Sequence, residues 1–191
     1  MKKTFLAMSF LSLSALAPVH AADYVIDTEK AHAFIDFRIQ HLGFSWMSGR
    51  FNDFSGNFSY DPEQPEASAI EVNIDVASID TNFAERDKHL RSAEFLNTDK
   101  FPEASFKSKK FQQREDGSLV MVGDFTLHGV TREMTIPVKK IGEGDDPWGG
   151  YRVGFMGETK FTIADYGIDV SKLGPSSQEV YLTLSIEGVR Q

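Results

Sequence analysis

There is no cysteine in this sequence. Disulfide staples, thiol nucleophiles and thiolate metal sites are therefore excluded, and packing must hold the fold. Positive charge is also short: 20 lysines and arginines face 28 acids, for a formal net charge of −8. Such a chain is a poor partner for nucleic acid or an anionic surface. Beyond residue 21 no apolar run is long enough to cross a bilayer as a helix. The G-x-S-x-G pattern of a nucleophile elbow is missing, as is any compact H-x-E-x-H spacing for a metal. No repeat or low-complexity tract divides the chain. Helical periodicity is confined to one stretch.

What is present begins with an export signal. Lys2 and Lys3 form a positive start, Phe5 to Ala17 an apolar core, and Val19-His20-Ala21 a small-residue cleavage site. Cleavage is expected after Ala21, leaving residues 22–191 as one acidic domain, more acidic still for the loss of two lysines. The missing disulfides and this leader together suit a bacterial periplasm.

The mature chain alternates. Ile35, Phe37 and Ile39 share one face of a strand that places Asp36 and Arg38 on the other. Ile70, Val72, Ile74 and Val76 do the same, as do Leu119 to Leu127, Met134 to Val138, Val153 to Phe161 and Val180 to Ile186. Broken parity between Arg50 and Tyr60 predicts a bulged or curved strand. Pro137 hints at an edge or bulge, and Gly142–Gly150 reads as a loop. About eight antiparallel strands result, and closing them hides their edges. A barrel of that size is either filled by side chains or holds one small ligand.

The helical stretch lies after Ser78. Asn82 is placed to cap it, with Glu85 completing a capping-box pattern. Arg86 and Asp87 are neighbours on a helix and should serve different partners. Phe95, Leu96 and Phe101 form an apolar exit before Pro102. So short a helix needs support and should lie across the mouth or side of the barrel.

With these segments in order, the chain resembles the YceI-like family, also called polyisoprenoid-binding proteins. The matching pieces are H-A-F-I-D-F-R-I-Q-H from His32, G-R-F-N-D-F-S-G from Gly49 and N-F-A-E-R-D-K-H-L-R-S-A-E-F-L from Asn82. To these are added F-P-E-A-S-F from Phe101, G-D-F-T-L-H-G-V-T from Gly123 and G-D-D-P-W-G-G from Gly144. The similarity runs over essentially all of residues 22–191 and is nearest the periplasmic enterobacterial-type branch. It implies an all-β fold: a lipocalin-like antiparallel eight-stranded barrel with one helical insert packed on it. It also implies an apolar tunnel for a long isoprenoid chain of the polyprenyl quinone or phenol type. Strands of this length make an interior of about 30 Å, and the 14 phenylalanines left once Phe5 and Phe10 are set aside from the 16 can line it without hydrogen-bond demands.

The inward residues expected at the tunnel are Ile35, Phe37, Ile39, Ile74, Leu90, Phe95, Phe125, Leu127, Phe155, Phe161 and Leu184. Arg86 and His89 are the candidates for holding a headgroup oxygen, though Arg86 and Asp87 read first as docking the helix onto the barrel backbone. The charged helix beside Phe95 and Leu96 is a candidate gate. No cofactor, catalytic residue or metal is expected. Two alternatives stay open: a lipid-directed hydrolase, and a filled barrel with a structural role. Transient membrane contact fits a carrier, and relatives of the family can pair as homodimers.

Overall fold

The computed structural model describes residues 21–116 and 118–191; all of the expected signal peptide but Ala21 lies outside the described residues. The strands are β1 (Ala22–Ile26), β2 (Phe34–His41), β3 (Ser45–Phe51), β4 (Phe54–Tyr60), β5 (Ala69–Asp75) and β6 (Ile79–Asp80). After the helix α1 (Ala84–Arg91) come β7 (Glu103–Gln113), β8 (Leu119–Leu127), β9 (Val130–Asp145), β10 (Tyr151–Thr162) and β11 (Glu179–Arg190). Every pairing is antiparallel. The ring runs β1-β4-β5-β7-β8-β9-β10-β11 and closes through β1–β11 pairing, an eight-stranded barrel.

Three of its staves are broken. The long β11 pairs β2 over Val180–Ser185 and β1 over Gly188–Arg190, so β1 and β2 lie end to end along it. Likewise β3 runs on into β4 past Asn52-Asp53, where the alternation fails. A single 3₁₀ turn, Val76–Ser78, joins β5 to β6. That short β6 pairs only with β3. Because β7 begins opposite Asp75, the wall beyond it is completed by residues 81–102 instead of a strand. The insert is there because the sheet is not.

Alternation positions the core as the sequence suggests. Tyr24, Ile35, Val72, Ile74, Phe106, Phe125 and Leu182 are buried inside the barrel, while Asp36 pairs outward with Arg50 at 3.5 Å. Two local expectations need correction. Gly142–Asp145 is strand, not loop, because β10 supplies it with a ladder through Tyr151–Gly154; only Asp146–Gly150 turns. The bulge in β9 falls at Ile141, an extra residue opposite the Gly154–Phe155 step, and not at Pro137.

The narrow end is stoppered by rings. Tyr24 stacks on Phe58 with centroids 4.9 Å apart, and Phe155 meets Phe58 and Tyr60 edge-on at 5.9 and 5.1 Å. Gly188 permits this: a Cβ there would sit 2.4 Å from the Phe58 ring. Outside the same end, Arg152 donates from Nε to Asp146 at 2.8 Å and from Nη1 to Glu187 at 2.6 Å and to Asp27. His32 completes the group, its Nδ1 3.1 Å from Asp27. Asp27, His32 and Glu187 could together reach a metal ion, but the Arg152 guanidinium is already bonded to both carboxylates.

Candidate ligand cavity

The opposite end is built by the insert, and Thr81 is its hinge pin. Asn82 adopts a left-handed conformation (φ 59°) and so does not cap. Phe83 takes the N-cap position without any side-chain bond to the helix. The buried Asp87 carboxylate instead reaches back past the helix start to accept the Thr81 N–H at 2.9 Å and the Thr81 hydroxyl, tying the incoming chain to the helix. Arg86 converges on the same residue, donating from Nε to Thr81 Oγ1 at 2.8 Å and from Nη2 to the Thr81 carbonyl at 2.7 Å. Arg86 and Asp87 therefore share a partner, contrary to the helical-wheel expectation, because the chain folds back onto both. The remaining guanidinium nitrogen, Nη1, points to Met47 Sδ at 3.4 Å. Arg91 fastens the helix to the barrel through the Ala77 and Ile79 carbonyls, both at 3.3 Å.

A second segment, the connection between β10 and β11, faces the insert. Lys172 donates to Glu94, whose other oxygen meets His89 Nε2 at 3.0 Å. These two hydrogen bonds, Lys172 first, pull the Glu94 pKa down to about 2. The His89 ring also packs perpendicular to Phe95 at 4.8 Å. The third segment is the β2–β3 hairpin, His41–Phe44, closed by Phe44 N–H to the His41 carbonyl at 2.9 Å. Both central residues have positive φ, Leu42 at 52° and Gly43 at 80°. That is a type I′ turn, which favours Asn-Gly; leucine in this region costs about 1 kcal/mol.

Between these segments and the barrel wall lies a cavity of about 470 Å³, within the range of small-molecule sites. Ile35, Phe37, Ile39, Ile74, Phe125, Leu127, Phe161 and Leu184 line it from the barrel wall. Leu90, Phe95, Arg86 and His89 close it from the insert. Of the residues expected at the site, only Phe155 is elsewhere. It points inward, but strand parity cannot tell how far along the barrel a side chain stands, and Phe155 belongs to the aromatic stopper. There it borders a second, smaller void of about 60 Å³ with Phe58, Tyr60 and Phe111. Ile70, Met121, Ile136, Leu184 and Ile186 border both spaces, forming the partition between them.

The lining is apolar except at the mouth. Its polar side chains are Gln40 and His41 from β2, Thr81, Arg86 and His89 from the insert, and Lys172 and Ser177 from the second connection. His41, Lys172 and Ser177 were not legible as site residues. The one signal was that Ile168 and Leu173, apolar residues within a polar connection, also turn out to line the cavity. An arrangement of this kind suits a long apolar body with one polar end.

A family model described as "YceI-like domain" matches residues 24–188. The chain belongs to the YceI-like family. This YceI-like chain is 53 % identical, over 193 residues and the full length of both, to a UPF0312 protein of Shewanella sp. strain MR-4. It is 51 % identical to a UPF0312 protein of Shewanella oneidensis, covering 100 % of this chain and 99 % of that one. Among solved structures, the Campylobacter jejuni YceI protein has a TM-score of 0.70 at 26 % identity, covering 80 % of this chain and 90 % of that chain. Burkholderia cenocepacia BcnA superposes with a TM-score of 0.75 at 18 % identity (85 % and 98 % covered). A polyisoprenoid binding domain from Saccharophagus degradans gives 0.64 at 16 % (90 % and 100 % covered). At those identities the last two speak for the YceI-like barrel itself.

The stopper yields a first prediction. Phe155→Ala enlarges the 60 Å³ void behind the partition, so a chain that threads between the partition residues gains room and the preferred length of a bound aliphatic series should lengthen. The unliganded protein should lose about 3 kcal/mol, part of it regained by saturating long ligand. Competition between alkyl chains of graded length, with thermal melts, reads both effects. An unchanged length optimum would remove Phe155 from the end of the binding path.

Proposed function

We propose that this chain is an exported, non-catalytic carrier for a long-chain isoprenoid lipid, of polyprenyl quinone or phenol type, held tail-inward in the barrel. The observation that carries the reading is the cavity's division into an apolar interior and a polar mouth with Arg86 half-buried on its rim. The three polar contacts of Arg86 go to Thr81 and Met47, not to a carboxylate. A positive donor at the end of a greasy channel matches an electronegative headgroup oxygen. Each buried CH₂ contributes about 0.8 kcal/mol against water. A bilayer offers much the same, so headgroup contacts bias the exchange. The polyisoprenoid-binding domain of Saccharophagus degradans shares the fold and lends the ligand class support. Export to the periplasm rests on residues 1–21.

A filled barrel is the less favoured reading, because the cavity persists between well-packed walls. The test is mass spectrometry of organic extracts from protein purified out of its native envelope without detergent. A stoichiometric prenyl quinone or phenol is the expected result. Protein that is empty and also refuses added isoprenoids would end the carrier reading. Turnover of ester lipids would replace it with the hydrolase.

A further inference from the structure

Three apolar side chains stand in solvent around the mouth: Phe44 is 86 % exposed, Phe83 57 % and Leu42 51 %. A scattered exposed apolar residue needs no explanation. Two of these, however, occupy positions where the backbone favours something else. Leu42 sits at a left-handed turn position suited to Asn or Gly. Phe83 fills an N-cap that Ser, Thr, Asp or Asn would satisfy. Local stability has been given up twice at one opening, both times for an exposed hydrophobe, and a left-handed non-glycine residue such as Leu42 points to function. Leu42 also lines the cavity wall, so the outer patch and the inner apolar surface are continuous.

We propose that this rim is a docking surface for a lipid bilayer, with Leu42, Phe44 and Phe83 dipping among the acyl chains and the mouth facing the membrane. The proposal rests on the carrier reading above, since continuity with the cavity matters only if a lipid passes. A bilayer fits better than a second copy of the chain. The three residues project from two separate elements flanking an opening, and a net charge of −8 sets copies against each other. It also fits better than an electrostatic attachment. Lys172 and His89 at the mouth are already matched by Glu94, and the acidic chain gains nothing from anionic lipid. Docking should therefore be apolar, indifferent to salt, and effective on zwitterionic vesicles.

The test is flotation of the purified protein with vesicles of phosphatidylcholine and phosphatidylethanolamine, compared with a Phe44→Ser/Phe83→Ser double variant. Neither residue lines the cavity, and serine is a favoured N-cap, so the variant should melt at the same temperature or higher. Wild type is expected to float equally in low and high salt, with the variant's partition reduced at least about tenfold. Binding of a fluorescent fatty-chain probe inside the cavity should stay unchanged in the variant. Wild-type protein that does not float, a variant that floats equally, or flotation abolished by salt would each overturn the proposal. So would sedimentation showing a wild-type dimer that the variant loses while its vesicle binding is unchanged, since the patch would then seat a second copy. A wild-type cavity that takes no probe would overturn the carrier reading, whereas flotation decides the docking.

Discussion

Ile74→Trp protein should fold and carry no long-chain lipid. Ile74 is buried in the middle wall, paired with Phe54 and Ala104, and faces the main cavity. An indole there projects into open space. The usual overpacking cost, about 1–3 kcal/mol in a filled core, should fall at the low end. The tail, by contrast, loses the middle of its path. Displacing only four methylenes removes about 3 kcal/mol, or more than a hundredfold in affinity. The check is the lipid-to-protein ratio by mass spectrometry, paired with a thermal melt. Wild-type protein should melt higher when loaded and Ile74→Trp should not respond, because only ligand bound to the native state stabilises it. Full loading of the variant would place the ligand somewhere other than this cavity.

The second large effect is on stability. Arg152→Met strips the cation from a group of three carboxylates, of which that of Asp27 is buried. Methionine replaces the stem but leaves the acids facing one another, which should cost about 2–4 kcal/mol and lower Tm by about 5–15 °C. The pH dependence follows. Burial alone would raise the Asp27 pKa; hydrogen bonds from Arg152, His32 and the Lys30 N–H outweigh it and hold it below the ordinary value. Asp146 is lowered by the Gly150 N–H and by Arg152. A carboxyl more acidic in the folded than in the unfolded state stabilises above its unfolded pKa. That contribution is lost as pH falls through the folded one. Wild-type stability from these groups should hold down to about pH 4 and decline below it. The variant should start lower and decline less. Denaturant melts across this range measure both; parallel curves would show that Arg152 does not set the acids' affinity for protons.

Legibility followed the range of the interactions. Ile35-x-Phe37-x-Ile39 and Ile70-x-Val72-x-Ile74 were readable because one buried face imposes a period of two on neighbours in sequence. The barrel and most of its lining followed from that. The existence of a helix between Ser78 and Pro102 was readable, but not its short span, Ala84–Arg91, nor how its start is held. Asn82 and Glu85 fit the usual pattern, and only the fold-back that delivers Asp87 to Thr81 makes that pattern irrelevant. Phe155 shows a different limit: its face was right and its depth wrong, since depth depends on barrel stagger. The mouth was least readable. His41, Lys172 and Ser177 lie far from Arg86 in sequence and meet it only when three connections converge. Gly142–Asp145 looked like loop because glycine there has no propensity for strand; the ladder from β10 makes it one.

The gap left by β6 has a consequence for kinetics. Residues 81–102 complete the wall without entering the sheet ladder. They are held by the Val76 N–H to the Pro102 carbonyl at 2.9 Å and by side-chain contacts such as Arg91 to Ala77 and Ile79. Lifting this panel breaks a handful of bonds and leaves the ring of strands closed. In the carrier proposed above, staves and panel both grip the tail, but only the lifting of the panel sets how often it can leave. Residence time and affinity can thus drift apart under mutation, one changing while the other stays where it was.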